Sequence, residues 1–350
     1  MSETTITNQS YWLKLKDGLV KSYQEVWYLK LNDPKTQKAL WLRFTLLLTK
    51  SGYKKIAETW AIFFQKKEET GEIQKTALKQ TFPISEFSSI QNENLIKIII
   101  GNSFLTSFHT KGQIQAKGQS LEWDLDMKPL TTNQFDLVPS SLSKSKLVKN
   151  TALTVYENLS FSGDLILQGE KHRFENAPGM QGHLAGTKNG HSWVWAHCNY
   201  FLDDHGNRAP VVFEGLSARA KLPFAIPSPK LSTFYFLYRE NEFPANTLWS
   251  AIRSKSTLNF TEWSFETEHR DLEGNNLIFK GQIKAELKSF AGITYEDTDG
   301  SFLYCANSKL AEMILVVFRN GKPEARFYAP FTAAYECVSR QKNPYVAMLI

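Results

Sequence analysis

The chain has 350 residues, of which 42% are hydrophobic, 22% charged and 13% aromatic, the balance of a globular protein long enough for one large domain or two ordinary ones. Its net charge of +6 is modest and its lysines are interleaved with acids, which argues against a nucleic-acid partner. Three cysteines (Cys198, Cys305, Cys337), widely spaced and odd in number, argue against a disulfide framework and a cysteine-based zinc site.

The first ten residues lack the basic and apolar regions of a signal peptide, and no apolar run reaches the ~20 residues needed to span a bilayer. The expectation is a cytoplasmic protein without a transmembrane segment, with peripheral membrane contact left open. Residues 41–49 (WLRFTLLLT) and 56–64 (IAETWAIFF) are rich in strand formers, and turn chemistry follows at 50–52 (KSG) and 69–71 (ETG). Residues 121–127 (LEWDLDM) alternate strictly, so Leu121, Trp123, Leu125 and Met127 share one face. From 127 to 150 the alternation fails among Pro, Ser and Lys, and the stretch reads as a connector. It predicts an N-terminal domain over 1–140, a linker at 141–150 and a C-terminal domain over 151–350; one large β domain with a long loop is the alternative. Five of six positions shared by 111–116 (KGQIQA) and 280–285 (KGQIKA) favour two units.

Further turns are predicted at 203–206 (DDHG), 273–276 (EGNN) and 297–300 (DTDG). Asn320-Gly321 predicts a two-residue hairpin. Residues 309–315 (KLAEMIL) could form a helix but run straight into Val316, Val317 and Phe318, so they are read as strand. Short strands spaced by roughly 8–15 residues predict an all-β sandwich or barrel architecture.

Residues 182–199 (GHLAGTKNGHSWVWAHCN) hold three of the seven histidines. On a strand, His191, Trp193, Trp195, His197 and Asn199 share one face, and Ser192, Val194, Ala196 and Cys198 the other. The large face could line a cavity, or it could pack; the pattern does not choose. His191 and His197 stand roughly 20 Å apart at ~3.3 Å per residue, too far to share an ion. His183 has no ligand partner at suitable spacing, His172 has only Glu170, and His205 falls in a turn. No metal or other cofactor is expected. An acid-base histidine and a hydrogen-bonded structural one both fit. The glycine-rich 179–186 (GMQGHLAG) has neither the lysine of a P-loop nor dinucleotide-fingerprint spacing, and no G-x-S-x-G elbow occurs.

Residues 193–201 (WVWAHCNYF) resemble the tryptophan-rich segment in the second domain of tocopherol cyclases. Residues 179–186 resemble the Q-N-H-N-W-G type segment of bacterial carotenoid hydratases (hydroxyneurosporene synthase) and their AttH-like relatives. Residues 23–30 (YQEVWYLK), 41–44 (WLRF) and 60–64 (WAIFF) are similar to that family's early strands, and 159–169 (LSFSGDLILQG) to the start of its second domain. The resemblance implies two tandem lipocalin-like (calycin) antiparallel β-barrels. Family members add water to, or cyclise, apolar molecules such as isoprenoids, and some related proteins only bind lipids. His183 matches the motif histidine, but the motif's asparagine and tryptophan are replaced in 183–186 (HLAG), a departure that weakens the case for hydratase activity itself.

The resulting expectation is a protein that binds an apolar small molecule (isoprenoid, carotenoid, lipid or polyketide). It would catalyse non-redox hydration, cyclisation or isomerisation by general acid catalysis. His183 would give the proton, and Trp193, Trp195, His197, His191 and Gln181 would line the pocket. The rival is a non-catalytic carrier; a scaffolding protein is third. Ligand identity, oligomeric state and the barrel that holds the pocket are not legible.

Overall fold

The computed structural model describes residue 10 and residues 22–92, 95–131, 133–144, 150–222 and 226–350; the reading of the N-terminus and of residues 145–149 in the linker falls mostly or wholly outside the described residues. The first sheet contains β1 (Tyr23–Asp33), β2 (Lys38–Leu48), β3 (Lys55–Lys66), β4 (Ile73–Pro83), β5 (Phe87–Asn92) and β6 (Leu95–Ile100). It continues with β7 (Ser103–Thr106), β8 (His109–Ala116), β9 (Gln119–Pro129), β10 (Phe135–Asp136), β11 (Asn150–Leu167) and β12 (Glu170–Gly186). Helix α1 (Ser140–Lys144) lies in the connector. The hydrogen-bonded order β4-β3-β2-β1-β12-β11-β9-β8-β7-β6-β5 is a meander whose first and last strands pair, giving a nearly closed barrel with a seam between β4 and β5.

The second sheet repeats the plan with β13 (Ser192–Cys198), β14 (Phe201–Leu202), β15 (Arg208–Ala209), β16 (Val212–Arg219), β17 (Leu231–Tyr238) and β18 (Asn241–Ala245). After helix α2 (Leu248–Arg253) come β19 (Lys255–Asn259), β20 (Glu262–Arg270), β21 (Asn276–Lys284), β22 (Ala291–Glu296), β23 (Phe302–Arg319) and β24 (Lys322–Ser339). Its order is β18-β17-β16-β13-β24-β23-β21-β20-β19, again with first and last strands adjacent. The all-β, two-unit architecture is the one expected.

The change of sheet falls between Gly186 and Ser192, not at 141–150. β11 and β12 follow the connector yet complete the first barrel, pairing with β9 and β1. A polar, proline-bearing stretch marks a loop, and a loop inside a barrel has the same composition as a linker between two. The repeated hexapeptide does not report the duplication either. It lies on β8 and on β21, and β21 holds in its sheet the place that β9 holds in the first.

What the copies share is local: Gly112 pairs with Trp123 and Gly281 with Phe265. A Cβ on Gly281 would sit 2.0 Å from the Phe265 ring. Gly281→Ala is therefore expected to lower the unfolding free energy by roughly 1–3 kcal/mol. Chemical denaturation reads this, and an unchanged midpoint would mean that Phe265 swings aside freely. The Asn320-Gly321 hairpin forms as expected, with both residues at positive φ (49° and 80°) between paired Arg319 and Lys322.

Burial explains the two strand patterns. β9 alternates because one face packs inward and the other meets solvent. β1, β2 and β3 are buried almost throughout because both faces are covered, one by the barrel core and one by the second unit. Trp27, Leu29, Phe44, Phe63 and Trp123 fill the first barrel, and Val194, Phe213, Phe234, Trp263 and Met313 fill the second. Between them Trp41, Trp60 and Ile62 meet Ile293, Tyr295 and Leu303, and Val26, Tyr28 and Met180 meet Trp195 and Tyr235.

Candidate functional site

His183 on β12 pairs with Trp27 of β1, and directly opposed residues project to the same face, here the interior of the first barrel. The Trp27 ring stacks on the imidazole at 4.8 Å and 11°. His183 Nε2 lies 2.9 Å from Glu25 Oε1, and the Ser10 hydroxyl donates to the other Glu25 oxygen at 3.0 Å. His183, Glu25 and Gln181 are all fully buried. The carboxylate that partners His183 stands 158 positions away, out of reach of any spacing argument.

The strand after it sends its two faces to different places. Val194, Ala196 and Cys198 join the core of the second unit. Trp195 and His197 point at the first barrel, where Trp195 meets Tyr28 edge-on at 5.7 Å. His197 Nε2 donates to the Glu157 carbonyl at 2.8 Å, leaving Nδ1 as an acceptor with no partner among the described residues. Burial, with the Lys30 ammonium adding, holds the His197 pKa well below its usual value, so this imidazole is neutral. Asn199 donates to the Gly179 carbonyl at 2.8 Å and ties the units together. Trp193 is partly buried in the same layer; His191 precedes the strand, half-buried, beside the Ser192 hydroxyl. The expected pocket residues thus divide: His183 and Gln181 lie inside one barrel, while Trp193, Trp195 and His197 lie between the two.

Opposite His197 on β16 stands Glu214, which is fully buried. Its Oε1 accepts from Trp195 Nε1 at 2.9 Å, and its Oε2 meets the Thr154 hydroxyl of β11 at 2.5 Å. Burial outweighs these two hydrogen bonds and pushes the carboxyl up to about 7. In the same layer burial brings the Lys30 ammonium down to about 8, although its Nζ donates to Asn32 Oδ1 at 2.9 Å. Lys309 Nζ, also buried, lies 2.7 Å from Glu336 Oε1 and donates to Asn307 Oδ1 at 2.6 Å. Burial thus moves the pKa values of a carboxyl and an ammonium toward neutrality in one layer. Glu214, Lys30 and Lys309 were missed in the sequence. Their signal was a lone charge in an apolar run, as in 211–216 (VVFEGL) and 26–31 (VWYLKL).

A cleft of about 350 Å³ opens along this inter-barrel layer. One wall is the outer face of β2, β3 and β4, in cross-strand rows Arg43–Trp60–Lys79 and Thr45–Glu58–Thr81. Thr294, Tyr295, Glu296 and Phe302 of the second unit form the other. Arg43 lies over the Tyr295 ring at 4.2 Å and the Trp60 ring at 5.3 Å. Its cross-strand neighbour is Tyr28, whose ring meets Trp195, so Tyr28 stands between the cleft and Glu214. A second cleft of about 250 Å³, lined by Glu262, Lys284, Glu286, Glu312 and Phe331, lies on the second unit. Neither is lined by His183.

Among the described residues no three His, Cys, Asp or Glu side chains are grouped to hold a metal ion. The three cysteines are free and buried. No helix among the described residues is long and apolar enough to cross a membrane.

No family model matches the chain. Two uncharacterised proteins of Mycobacterium tuberculosis, MT0513 (strain CDC 1551) and Rv0493c (strain H37Rv), are each 22% identical over 289 residues, 83% of this chain and 79% of theirs. Among solved structures CghA, determined with Sch210972, superposes with a TM-score of 0.55 at 10% identity, over 92% of this chain and 90% of its own. The fold is the tandem lipocalin-like one. An AttH-like protein of Nitrosomonas europaea (TM-score 0.44, 12% identity, 93% of each chain) and kievitone hydratase of Nectria haematococca (TM-score 0.47, 9% identity, 90% of this chain and 88% of its own) are further matches. At these identities the likeness concerns backbone architecture alone.

Proposed function

We propose that this protein binds an apolar small molecule of isoprenoid, carotenoid, lipid or polyketide type in the inter-barrel cleft. On this reading it hydrates, cyclises or isomerises that molecule by non-redox general acid catalysis. The observation that carries the reading is Glu214, a carboxyl that burial pushes up to about 7, in the same inter-barrel layer as a cleft lined by Trp60, Tyr295 and Phe302. A carboxyl with that pKa is substantially protonated at neutral pH and can give its proton to an alkene, while π faces steady the cation that results. We assign Glu214, not the motif histidine, as donor. Glu214 belongs to the layer between the units, whereas His183 is inside one barrel and bound to Glu25. Glu214 does not line the cleft itself: Tyr28 and Arg43 follow it along the layer, so the reading requires the ligand to reach past the Tyr28 ring.

A carrier without chemistry is the second reading. It is favoured by one observation: both Glu214 oxygens already have protein partners, Trp195 and Thr154.

The test begins with organic extraction of the purified protein and mass spectrometry of what is released. Incubating the released molecule with fresh protein is expected to give a product of equal or water-shifted mass. Glu214→Gln is expected to retain the molecule and cut turnover by at least ~100-fold, the scale of a lost general acid. Retention without conversion by the native protein establishes the carrier. Conversion at the native rate by Glu214→Gln, with loss in His183→Gln, returns the donor role to the histidine.

A further inference from the structure

Five charged side chains line the inter-barrel cleft: Arg43, Lys54, Glu58, Lys79 and Glu296. Four of them are matched. Lys54 pairs with Glu296 across the two units, and Lys79 Nζ lies 3.5 Å from Glu58 Oε1, which also accepts from Thr81 at 2.9 Å. Arg43 is the charge left over. Among the described residues no aspartate or glutamate comes within ion-pair distance of it. Its one hydrogen bond runs from Nε to the Thr45 hydroxyl at 2.8 Å, so both terminal nitrogens remain without a protein acceptor. The guanidinium is partly buried, between the Tyr295 and Trp60 rings. A second donor is left over beside it: the Trp60 indole N–H is buried, in the wall of the same cleft, with no acceptor among the described residues.

Unmatched donors in a partly enclosed site are costly unless something fills their demand, and a planar guanidinium matches an oxyanion two-point. We infer that the molecule taken by this cleft is an acid: an apolar skeleton ending in a carboxylate, whose oxygens accept from the Arg43 terminal nitrogens. This rests on the cleft reading above and narrows it. Phe302, Leu47, Ile56 and the Ile350 side chain supply the apolar lining, and the anion is placed at Arg43, the one lining side-chain charge without an ion-pair partner among the described residues. The Lys54–Glu296 and Lys79–Glu58 pairs flank that point and leave the other wall charges balanced, so a second charge on the ligand has no counterpart.

Isothermal titration of the full chain with biphenyl-4-carboxylate, and with its neutral isostere biphenyl-4-carboxamide, tests this at low ionic strength. The carboxylate is expected to bind at least about tenfold more tightly, the scale of one charge-assisted, two-point contact. In Arg43→Gln the two probes are expected to bind alike. Equal affinities in the native protein overturn the acid requirement and leave the cleft standing as a binding site. A carboxylate preference that survives in Arg43→Gln places the anion elsewhere and also overturns it. If neither probe binds the native protein, this inference and the cleft reading fall together.

Discussion

Lys309→Met is expected to lower the unfolding free energy by about 3–5 kcal/mol, the scale for a buried ion pair that loses one member. Lys309 is fully buried, and the lost ammonium leaves Glu336 Oε1 with only the Asn307 amide. The same residue ties the two units: its carbonyl accepts from Asn32 of β1 at 2.6 Å, and its ammonium lies 5.7 Å from the Trp41 ring and 5.6 Å from Trp195. The double variant Lys309→Met/Glu336→Leu removes both charges and is expected to recover most of the loss, because the desolvation cost disappears with the attraction. Chemical denaturation of the native protein, both single variants and the double completes the cycle. A single variant as stable as the native protein would mean that water reaches this pair.

Glu214→Gln is expected to change the pH dependence of stability as well as turnover. With the folded pKa at about 7 and an unfolded value of about 4.3, the folded chain holds a proton in this window that the unfolded chain has released. Stability therefore falls as pH rises from about 4.5 to about 7 and levels off above. Over that window the shift amounts to roughly 3 kcal/mol. Glutamine imitates the neutral carboxyl, keeps the acceptor for Trp195 Nε1 and cannot ionise. The variant is expected to match the native protein near pH 5 and to exceed it near pH 8, as measured by urea midpoints at the two pH values. Lys30 gives the opposite slope: with its pKa brought down to about 8, stability rises with pH between about 8 and 10.4. A native profile that is flat between pH 5 and 7 would mean that Glu214 stays charged in the fold.

How much of this was legible depends on distance along the chain. The alternation at 121–127 placed Leu121, Trp123, Leu125 and Met127 in the core because one face of β9 is open to water and the code is local. The split of β13 into a small and a large face was equally readable. Its destination was not, since that depends on β24, β16 and the first barrel. Lys309 shows a further limit. Between Ser308 and Met313 the pairing of β23 shifts register, so Ala306 before it and Ala311 and Met313 after it all face the core. A bulge changes which parity points inward, and nothing in 309–315 announces it. The candidate site combines both difficulties. Glu25 with His183, and Glu214 with Thr154, are partners brought together by strand closure, and no motif spans such separations.

The way the first barrel closes also sets a timetable. Gln24 takes Gly186 as its ladder partner, so the growing chain can form the β1–β4 meander early, but one edge of β1 stays vacant until β12 has left the ribosome. Throughout that interval the nascent protein carries a strand with unpaired backbone donors and acceptors along one edge, the kind of edge that other chains join. Slowing synthesis between β4 and β12 is therefore expected to lengthen the time for which that edge is open to other chains.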